Sequence, residues 1–241
     1  MKEYINNLYK KDKKSFIKEL EKKLKTNEKC FVVTVNPETI MKSEKDNQIK
    51  EILNDKSVTL VPDGIAIVKA SKWLKIPVEE RITGVEISEE LLKIANTNKN
   101  SIYLFGASKE VIEKLVDKIK KDYPNINILG ATDGYVSDKD KVMEKIINLK
   151  PDITLVALGI PMQEKIIYKY LPKASKGIFI GVGGTFDVLS GSKKRAPKIF
   201  IKLNLEWLYR IMKEPVRLKR FWQSNVKFMV KIRKEMTKNK S

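Results

Sequence analysis

The 241-residue sequence contains no histidine and a single cysteine, and both shortages exclude classes of chemistry. Without histidine there is no Ser-His or Cys-His nucleophile pair and no histidine-ligated zinc, so acid–base catalysis falls to Asp, Glu, Lys, Tyr or Cys. Cys30 cannot form an intrachain disulfide, which indicates a reducing compartment, and its place in an apolar run predicts a buried side chain.

Long apolar runs are missing as well. No window approaches the roughly 20 apolar residues that a transmembrane helix requires, and the N-terminus has neither the apolar core nor the cleavage site of a signal peptide. We therefore expect a cytoplasmic protein that is soluble or bound peripherally at the inner face of a membrane.

Acidic residues are scarce near the C-terminus. From position 191 onward, 16 Lys and Arg residues stand against three Glu residues, so this part carries +13 of the net charge of +19. A field of one sign attracts an anionic partner, such as nucleic acid, a phosphate-bearing ligand or an acidic membrane surface. Apolar residues among these cations, including Ile199, Trp207 and Met212, either enter a membrane interface or pack on the rest of the fold.

Six apolar runs of strand length alternate with amphipathic stretches. The runs are rich in β-branched residues, which is typical of buried strands, and they lie at 31–35, 58–61, 101–106, 126–130, 153–159 and 177–183. The stretches between them have helical periodicity. One helix is predicted from Pro37 to Leu53, with Asn36 as its N-cap. This alternation predicts an α/β fold, a Rossmann-like parallel sheet with helices on both faces.

After Pro197 the pattern predicts two helices broken near Pro215, with no strand between them. We expect residues 1–196 to form an α/β domain whose first 30 residues are a helical N-terminal segment. Residues 197–241 are expected to form a basic helical appendage close to the membrane.

Polar residues and glycines follow the predicted strands, at the edge where a parallel sheet gathers them. They are Thr34 and Asn36, Asp63, Gly106, the segment 133–135, Gly159 and the segment 181–187. One glycine after a strand ordinarily marks only a tight turn. Six such sites at one edge predict a shared pocket, in which backbone N–H groups can approach a phosphate. Asp63, between Pro62 and Gly64, is either a turn residue or a carboxylate at the mouth of that pocket.

The sequence lacks the familiar phosphate and metal motifs. GVGGTFD (181–187) departs from G-x-G-x-x-G, and LSGSKKR departs from the P-loop. Asp138 and Asp140 could form a metal–diphosphate site, but acidic residues at a helix N-terminus are the more ordinary interpretation. We expect no metal and no cofactor, so cationic side chains would have to neutralise a diphosphate. The candidates are Arg81, Lys194, Arg195, Arg210, Arg217 and Arg220.

Together these motifs resemble the WecG/TagA/CpsF glycosyltransferases, glycosyltransferase family 26. The matching stretches occur in the order of that family and cover roughly positions 31–222. They are TVNPETI (34–40), VPDGIAIVKA (61–70), ERITGVE (80–86), YLFGA (103–107), GATDGY (130–135), LVALGIPMQEKII (155–167), GVGGTFDVLSGSKKRAP (181–197) and LEWLYRIMKEPVRLKR (205–220).

The resemblance implies an inverting, metal-independent transfer of an N-acetylhexosamine from a UDP-sugar to the GlcNAc of an undecaprenyl-diphosphate-linked acceptor. In the wall-teichoic-acid branch the sugar is N-acetylmannosamine and the product is the ManNAc(β1→4)GlcNAc linkage unit. Other members build capsules or exopolysaccharides, so the pathway stays open. An anionic membrane surface is an expected partner, nucleic acid is not, and a homo-oligomer is compatible with the sequence.

Residue roles follow from the same resemblance. The general base of the family matches Asp63, and its substrate-pocket residues match Thr34, Asn36, Arg81 and Gln163. Further substrate-binding candidates, on the donor side and in the basic appendage thought to close over the site, are Gly106, Tyr135, Gly159, Gly183, Gly184, Asp187, Lys194, Arg195, Arg210, Arg217 and Arg220.

Three other classes compete with this interpretation. A basic nucleic-acid-binding protein fits the charge, and salt-dependent DNA binding without UDP binding would favour it. A non-catalytic scaffold for polymer assembly and an NAD-dependent oxidoreductase fit less well, because the PDG (62–64) and VALGIPMQ (156–163) segments are intact and the fingerprint glycines are missing.

Overall fold

The computed structural model describes residues 1–203 and 205–238, apart from the side chains of Lys198, Arg210, Arg217, Arg220 and Lys238.

The centre of the molecule is a six-stranded sheet in the order β2-β1-β6-β5-β3-β4, with every neighbouring pair parallel. The strands are β1 (Lys29–Val35), β2 (Val58–Pro62), β3 (Ser101–Gly106), β4 (Asn127–Thr132), β5 (Ile153–Ala157) and β6 (Gly177–Gly181). All six carboxyl ends therefore lie at one edge of the sheet. The predicted parallel α/β sheet is confirmed.

Two helices precede β1, and at least one helix follows every strand. The helices are α1 (Lys2–Asn6), α2 (Lys13–Lys25), α3 (Pro37–Ser43), α4 (Asn47–Asn54), α5 (Ile65–Trp73), α6 (Gly84–Asn98), α7 (Lys109–Asp122), α8 (Lys139–Leu149), α9 (Met162–Tyr170), α10 (Thr185–Leu189), α11 (Lys198–Lys202), α12 (Glu206–Lys213), α13 (Arg217–Phe221) and α14 (Lys227–Lys238). Leu171–Lys173 is a 3₁₀ turn and Trp222–Val226 a π-helical turn.

The sheet separates two apolar cores. Because side chains alternate along a strand, β1 sends Phe31, Val33 and Val35 to one face and Cys30 and Val32 to the other. Helices α1, α3, α4, α5, α8, α9 and α14 cover the first face, and α2, α6, α7 and α10 cover the second. The helices on both faces agree with the prediction.

The local predictions for 126–130 and 37–53 are wrong. The run at 126–130 was expected to be a buried strand, but β4 is half-exposed because it lies at the edge of the sheet. The single helix expected from Pro37 to Leu53 is two helices, since Asp46 Oδ1 accepts hydrogen bonds from the N–H groups of Gln48 and Ile49 and starts α4 afresh. The capping role of Asn36 is confirmed.

The C-terminal part is helical, with α12 ending and α13 beginning on either side of Pro215, as predicted. The stretch before Pro215 was expected to be one helix and is instead α11 and α12. Helix α14 belongs to the body of the protein, because Phe228 and Ile232 are fully buried in the first core. The boundary near residue 197 stays a prediction. Among the described helices, none combines the length and the apolar character needed to span a bilayer.

Candidate active site

Asp63 and Asn36 lie side by side at the carboxyl ends of β2 and β1. The N–H of Asp63 donates to Val35 O at 2.8 Å, which fixes the backbone of Asp63 next to Asn36. Gly64 then turns the chain into α5 at a φ of 105°, a conformation that favours glycine. The chain bends at Gly64, and the half-buried Asp63 lies at the sheet edge. Asn36 Oδ1 accepts from the N–H of Thr39 at 3.0 Å, and its Nδ2 group is the donor that it can offer to a substrate.

Arg81 joins this edge from the segment before α6. The N–H of Ile82 donates to Pro62 O at 2.8 Å and holds the segment against the end of β2. The guanidinium Nη2 of Arg81 lies 3.8 Å from Glu206 Oε2, and both side chains are largely buried. Since Glu206 begins α12, Arg81 connects the sheet edge with the C-terminal segment.

Thr34 lies within β1, two residues before Asn36, on the strand that pairs with β6. Its hydroxyl donates to Gly181 O at 3.3 Å and is buried. The first residue of α6, Gly84, approaches closely enough that a Cβ there would lie 3.6 Å from Thr34 Cγ2 and 3.5 Å from Thr185 Oγ1. Thr34 therefore contributes to packing at the site, and its hydroxyl is already engaged.

Gln163 ties the turns after β5 and β6 together. Its Oε1 accepts from the N–H groups of Gly159 at 3.1 Å and Gly183 at 3.0 Å, and its Nε2 donates to Glu164 Oε1 at 2.8 Å. The amide fills the space over Gly181, where a Cβ would lie 2.7 Å from Nε2. Gln163 thus joins the turns after β5 and β6 in one hydrogen-bonded unit.

Glu164 is a buried acid that the sequence analysis did not single out. Only 1% of it is exposed, and burial raises the pKa of its carboxyl group to about 7. The sequence did contain a signal, because Glu164 lies three residues before the buried Ile167 on the helical period. That spacing predicts a side chain facing inward.

The turns after β3, β4 and β5 form the other half of the edge. Gly106 has a φ of 128°, and a Cβ there would lie 2.4 Å from Ala157 O. Gly134 N donates to Ala107 O at 2.8 Å, which brings the β4 turn against the β3 turn. Tyr135 projects from it and is 82% exposed. These contacts gather the predicted Gly106 and Tyr135 at one end of the sheet.

The glycine-rich segment after β6 leads into α10 and then towards the tail. Gly183 has a φ of 50°, and Gly184 is the N-cap of α10. Asp187 lies 3.7 Å from Lys193 Nζ, which also pairs with Glu214 at 3.2 Å. Asp187 therefore has a protein cation beside it, and Lys193 connects the segment with the end of α12.

The remaining predicted cations differ in their surroundings. Lys194 is exposed. Arg195 donates from Nη1 to both carboxylate oxygens of Glu89 on α6, each at 3.3 Å, so a protein carboxylate already binds its guanidinium group. The predicted side chains of Arg210, Arg217 and Arg220 lie outside the described residues.

The acidic pair considered for a metal has other roles. Asp138 caps α8 through Lys141 N, and Asp140 pairs with Lys169 at 2.7 Å. Across the described ranges 1–203 and 205–238, no cluster of three or more Asp, Glu or Cys side chains is suited to bind a metal ion.

A cavity of about 200 Å³ lies between α6, α7 and α10, lined in part by Leu92, Leu115, Ile119 and Leu189. It contains none of the predicted site residues. The hydrogen bonds described above gather the predicted groups at the carboxyl edge of the sheet. The candidate site therefore lies at that edge and not in this cavity.

Comparison with known proteins identifies relatives of the chain. The model of the glycosyl transferase WecG/TagA/CpsF family matches residues 5–241. The chain is 44% identical over 207 residues to the N-acetylglucosaminyldiphosphoundecaprenol N-acetyl-beta-D-mannosaminyltransferase of Bacillus subtilis (strain 168), covering 86% of this chain and 80% of that protein. A protein of the same name from Bacillus spizizenii is 40% identical over 207 residues, with 86% and 80% covered. One from Staphylococcus aureus (strain MW2) is 39% identical over 211 residues, with 87% and 82% covered.

Proposed function

Because the chain belongs to the WecG/TagA/CpsF glycosyltransferase family, we propose that it transfers an N-acetyl-β-D-mannosaminyl group to N-acetylglucosaminyldiphosphoundecaprenol, with a UDP-sugar as the donor. The observation that carries the proposal is the 44% identity, over 86% of the chain, to a relative named for this transfer. The product would be the ManNAc(β1→4)GlcNAc linkage unit of a teichoic-acid-type cell-wall polymer.

Asp63 is the proposed general base. A sugar hydroxyl is too weak an acid to ionise beforehand, so the carboxylate takes its proton as the oxygen attacks the anomeric carbon. The new C–O bond forms on the face opposite the departing group, and the bond to the UDP oxygen breaks with its electron pair. Anchoring of the Asp63 backbone to Val35 O supports this role, because a base must be held at a fixed distance from the hydroxyl.

Cationic side chains are proposed to stabilise the departing diphosphate. Arg81 is the described candidate at the sheet edge, and Arg210, Arg217 and Arg220 would add to it when the tail covers the site. The glycine turns held by Gln163 would bring backbone N–H groups towards the donor. Arg195 has a weaker claim, since it donates to both oxygens of Glu89 at 3.3 Å, whereas Arg81 and Glu206 are 3.8 Å apart.

We also propose peripheral binding to the inner face of the membrane, where the acceptor lipid would reside. The support is a set of exposed apolar side chains among the cations of the C-terminal segment: Ile199, Leu203, Trp207, Met212, Val216, Leu218 and Trp222. Each Lys or Arg near an anionic leaflet adds about 1 kcal/mol of attraction.

The test is an assay of the full chain with synthetic GlcNAc-diphospho-lipid and a panel of UDP-N-acetylhexosamines, with and without EDTA. We expect transfer from UDP-N-acetylmannosamine, unchanged by the chelator. Preference for another sugar would assign the chain to capsule or exopolysaccharide synthesis. Salt-dependent DNA binding without UDP binding would contradict the proposal, and loss of activity in EDTA would contradict its metal-independent form.

A further inference from the structure

We infer that Glu164 is a positioning residue for the candidate site: its carboxyl group fixes the amide of Gln163 and, through that amide, the turns that follow β5 and β6. The inference deepens the proposed function, on which its catalytic consequence rests. The hydrogen-bonding part of it can be tested independently of transfer.

The hydrogen bonds define which way the Gln163 amide faces. Two N–H groups, from Gly159 and Gly183, point at one end of the amide, and a carboxyl oxygen of Glu164 lies 2.8 Å from the other. A flipped amide would set its NH₂ group against two donors and its oxygen against an acceptor. Glu164 therefore supplies the acceptor that makes this orientation favourable.

The burial of Glu164 indicates that this position requires the acceptor oxygen of its carboxyl group. An acid is rarely buried without a functional or structural reason, and here the Oε2 atom is fully buried and has no hydrogen-bond partner among the described residues. An apolar residue would avoid that cost if packing were the only requirement. The position therefore requires the Oε1 acceptor itself.

The surroundings of Glu164 contain charges of both signs. Desolvation has the largest effect on the carboxyl group of Glu164 and raises its pKa to about 7. On α3, the carboxylate of Glu38 also disfavours ionisation of Glu164, whereas the ammonium of Lys42 favours it. Near neutral pH the group therefore exists in both protonation states. The bond from Gln163 is charge-assisted in the ionised state and weaker in the neutral one.

The first experiment compares three substitutions. Glu164→Met keeps the length of the side chain and removes the acceptor, Glu164→Gln keeps a carbonyl acceptor, and Glu113→Met alters an exposed glutamate on α7 as a matched control. In Glu164→Met we expect amide hydrogen exchange at Gly159 and Gly183 to accelerate about fivefold, because the net stabilisation from one hydrogen bond is lost. We expect kcat to fall roughly 10- to 100-fold with little change in KM, because the base and the donor are misaligned.

The other variants separate positioning from packing. We expect Glu164→Gln to restore exchange and kcat to near the original values, Glu113→Met to change neither, and Glu164→Met to keep or raise Tm. Unchanged exchange in Glu164→Met, or Glu164→Gln as impaired as Glu164→Met, would overturn the inference. If the unsubstituted protein has no transferase activity, the proposed function fails, and the exchange data still decide the positioning role.

A second measurement applies even if Glu164→Met does not fold. In NMR spectra, the side-chain amide protons of Gln163, assigned by their loss in Gln163→Met, should shift with an apparent pKa near 7 in the unsubstituted protein. The shift should vanish in Glu164→Gln. A pH-independent amide signal, or a titration that persists in Glu164→Gln, would refute the bond between the two side chains.

Discussion

The segment from α11 to α13 and the helix α14 that follows it are both basic, but they direct their apolar side chains differently. In α14, Phe228 and Ile232 are fully buried in the first core. In the preceding segment, Leu203, Met212 and Leu218 are at least 55% exposed. Charge alone predicts one anion-binding tail, whereas burial divides it into an anchoring helix and a segment with an uncovered apolar surface.

Contacts at both ends restrain the exposed segment. On its C-terminal side, Lys231 pairs with Glu44, and the N-terminal ammonium group of Met1 lies 3.3 Å from Glu235. On its N-terminal side, Ala196 is buried. In between, Glu206 reaches Arg81 at the sheet edge. The segment is thus restrained at both ends and pairs with the sheet edge through Glu206.

The largest expected effect tests α14 as an anchor. Phe228→Ala should destabilise the protein by about 3–5 kcal/mol, because it leaves a cavity in a packed core. Urea denaturation measures the change, and Val230→Ala, at a half-exposed position of the same helix, should stay within about 0.5 kcal/mol. Equal, small effects at both positions would mean that α14 is not anchored.

A second contrast is between the exposed charges of the tail and the buried charge of Glu164. Its pKa of about 7 in the folded protein exceeds the ordinary value of 4.5, so the folded state binds the proton more tightly. This contribution to stability is fully present below pH 4.5 and is lost as pH rises through 7. Relative to Glu164→Gln, the unfolding free energy should fall by about 2–3 kcal/mol between pH 5 and pH 8. Parallel pH profiles for the two proteins would contradict a buried, protonated acid.

The smallest expected change in stability tests the exposed segment. Met212→Glu combined with Leu218→Glu should leave Tm nearly unchanged, since both side chains are exposed. Binding to anionic vesicles should weaken about tenfold or more, because two apolar groups no longer enter the interface and two negative charges are added.

The matched control for charge is Lys93→Met combined with Lys118→Met, on α6 and α7, which changes the net charge by the same −2. It should weaken vesicle binding less. If both pairs weaken binding equally, or neither does, the apolar surface of α11–α13 is not the membrane contact.

The sequence was sufficient for the layers of the fold and for the edge that holds the candidate site. These predictions rest on local features: apolar runs of strand length, Asn36 as a cap and glycines after strands. Such features depend on neighbouring residues in the sequence, so they can be read without knowing the tertiary contacts. Which element covers which face is not local, so the burial of Phe228 and the exposure of β4 could not be predicted. The same holds for pairs distant in sequence, such as Arg195 with Glu89. The roles of Asp63, Thr34, Arg81 and Gln163 stay predictions, since backbone anchoring supports them without testing them.

The most direct test of the account is the turnover of Asp63→Asn with UDP-N-acetylmannosamine and GlcNAc-diphospho-lipid. The amide keeps the size of the side chain and cannot accept the proton, so we predict that kcat falls by about 10²–10⁴-fold while Tm and UDP affinity are retained. A variant that folds, binds UDP and turns over at a near-normal rate would contradict the claim that Asp63 is the base.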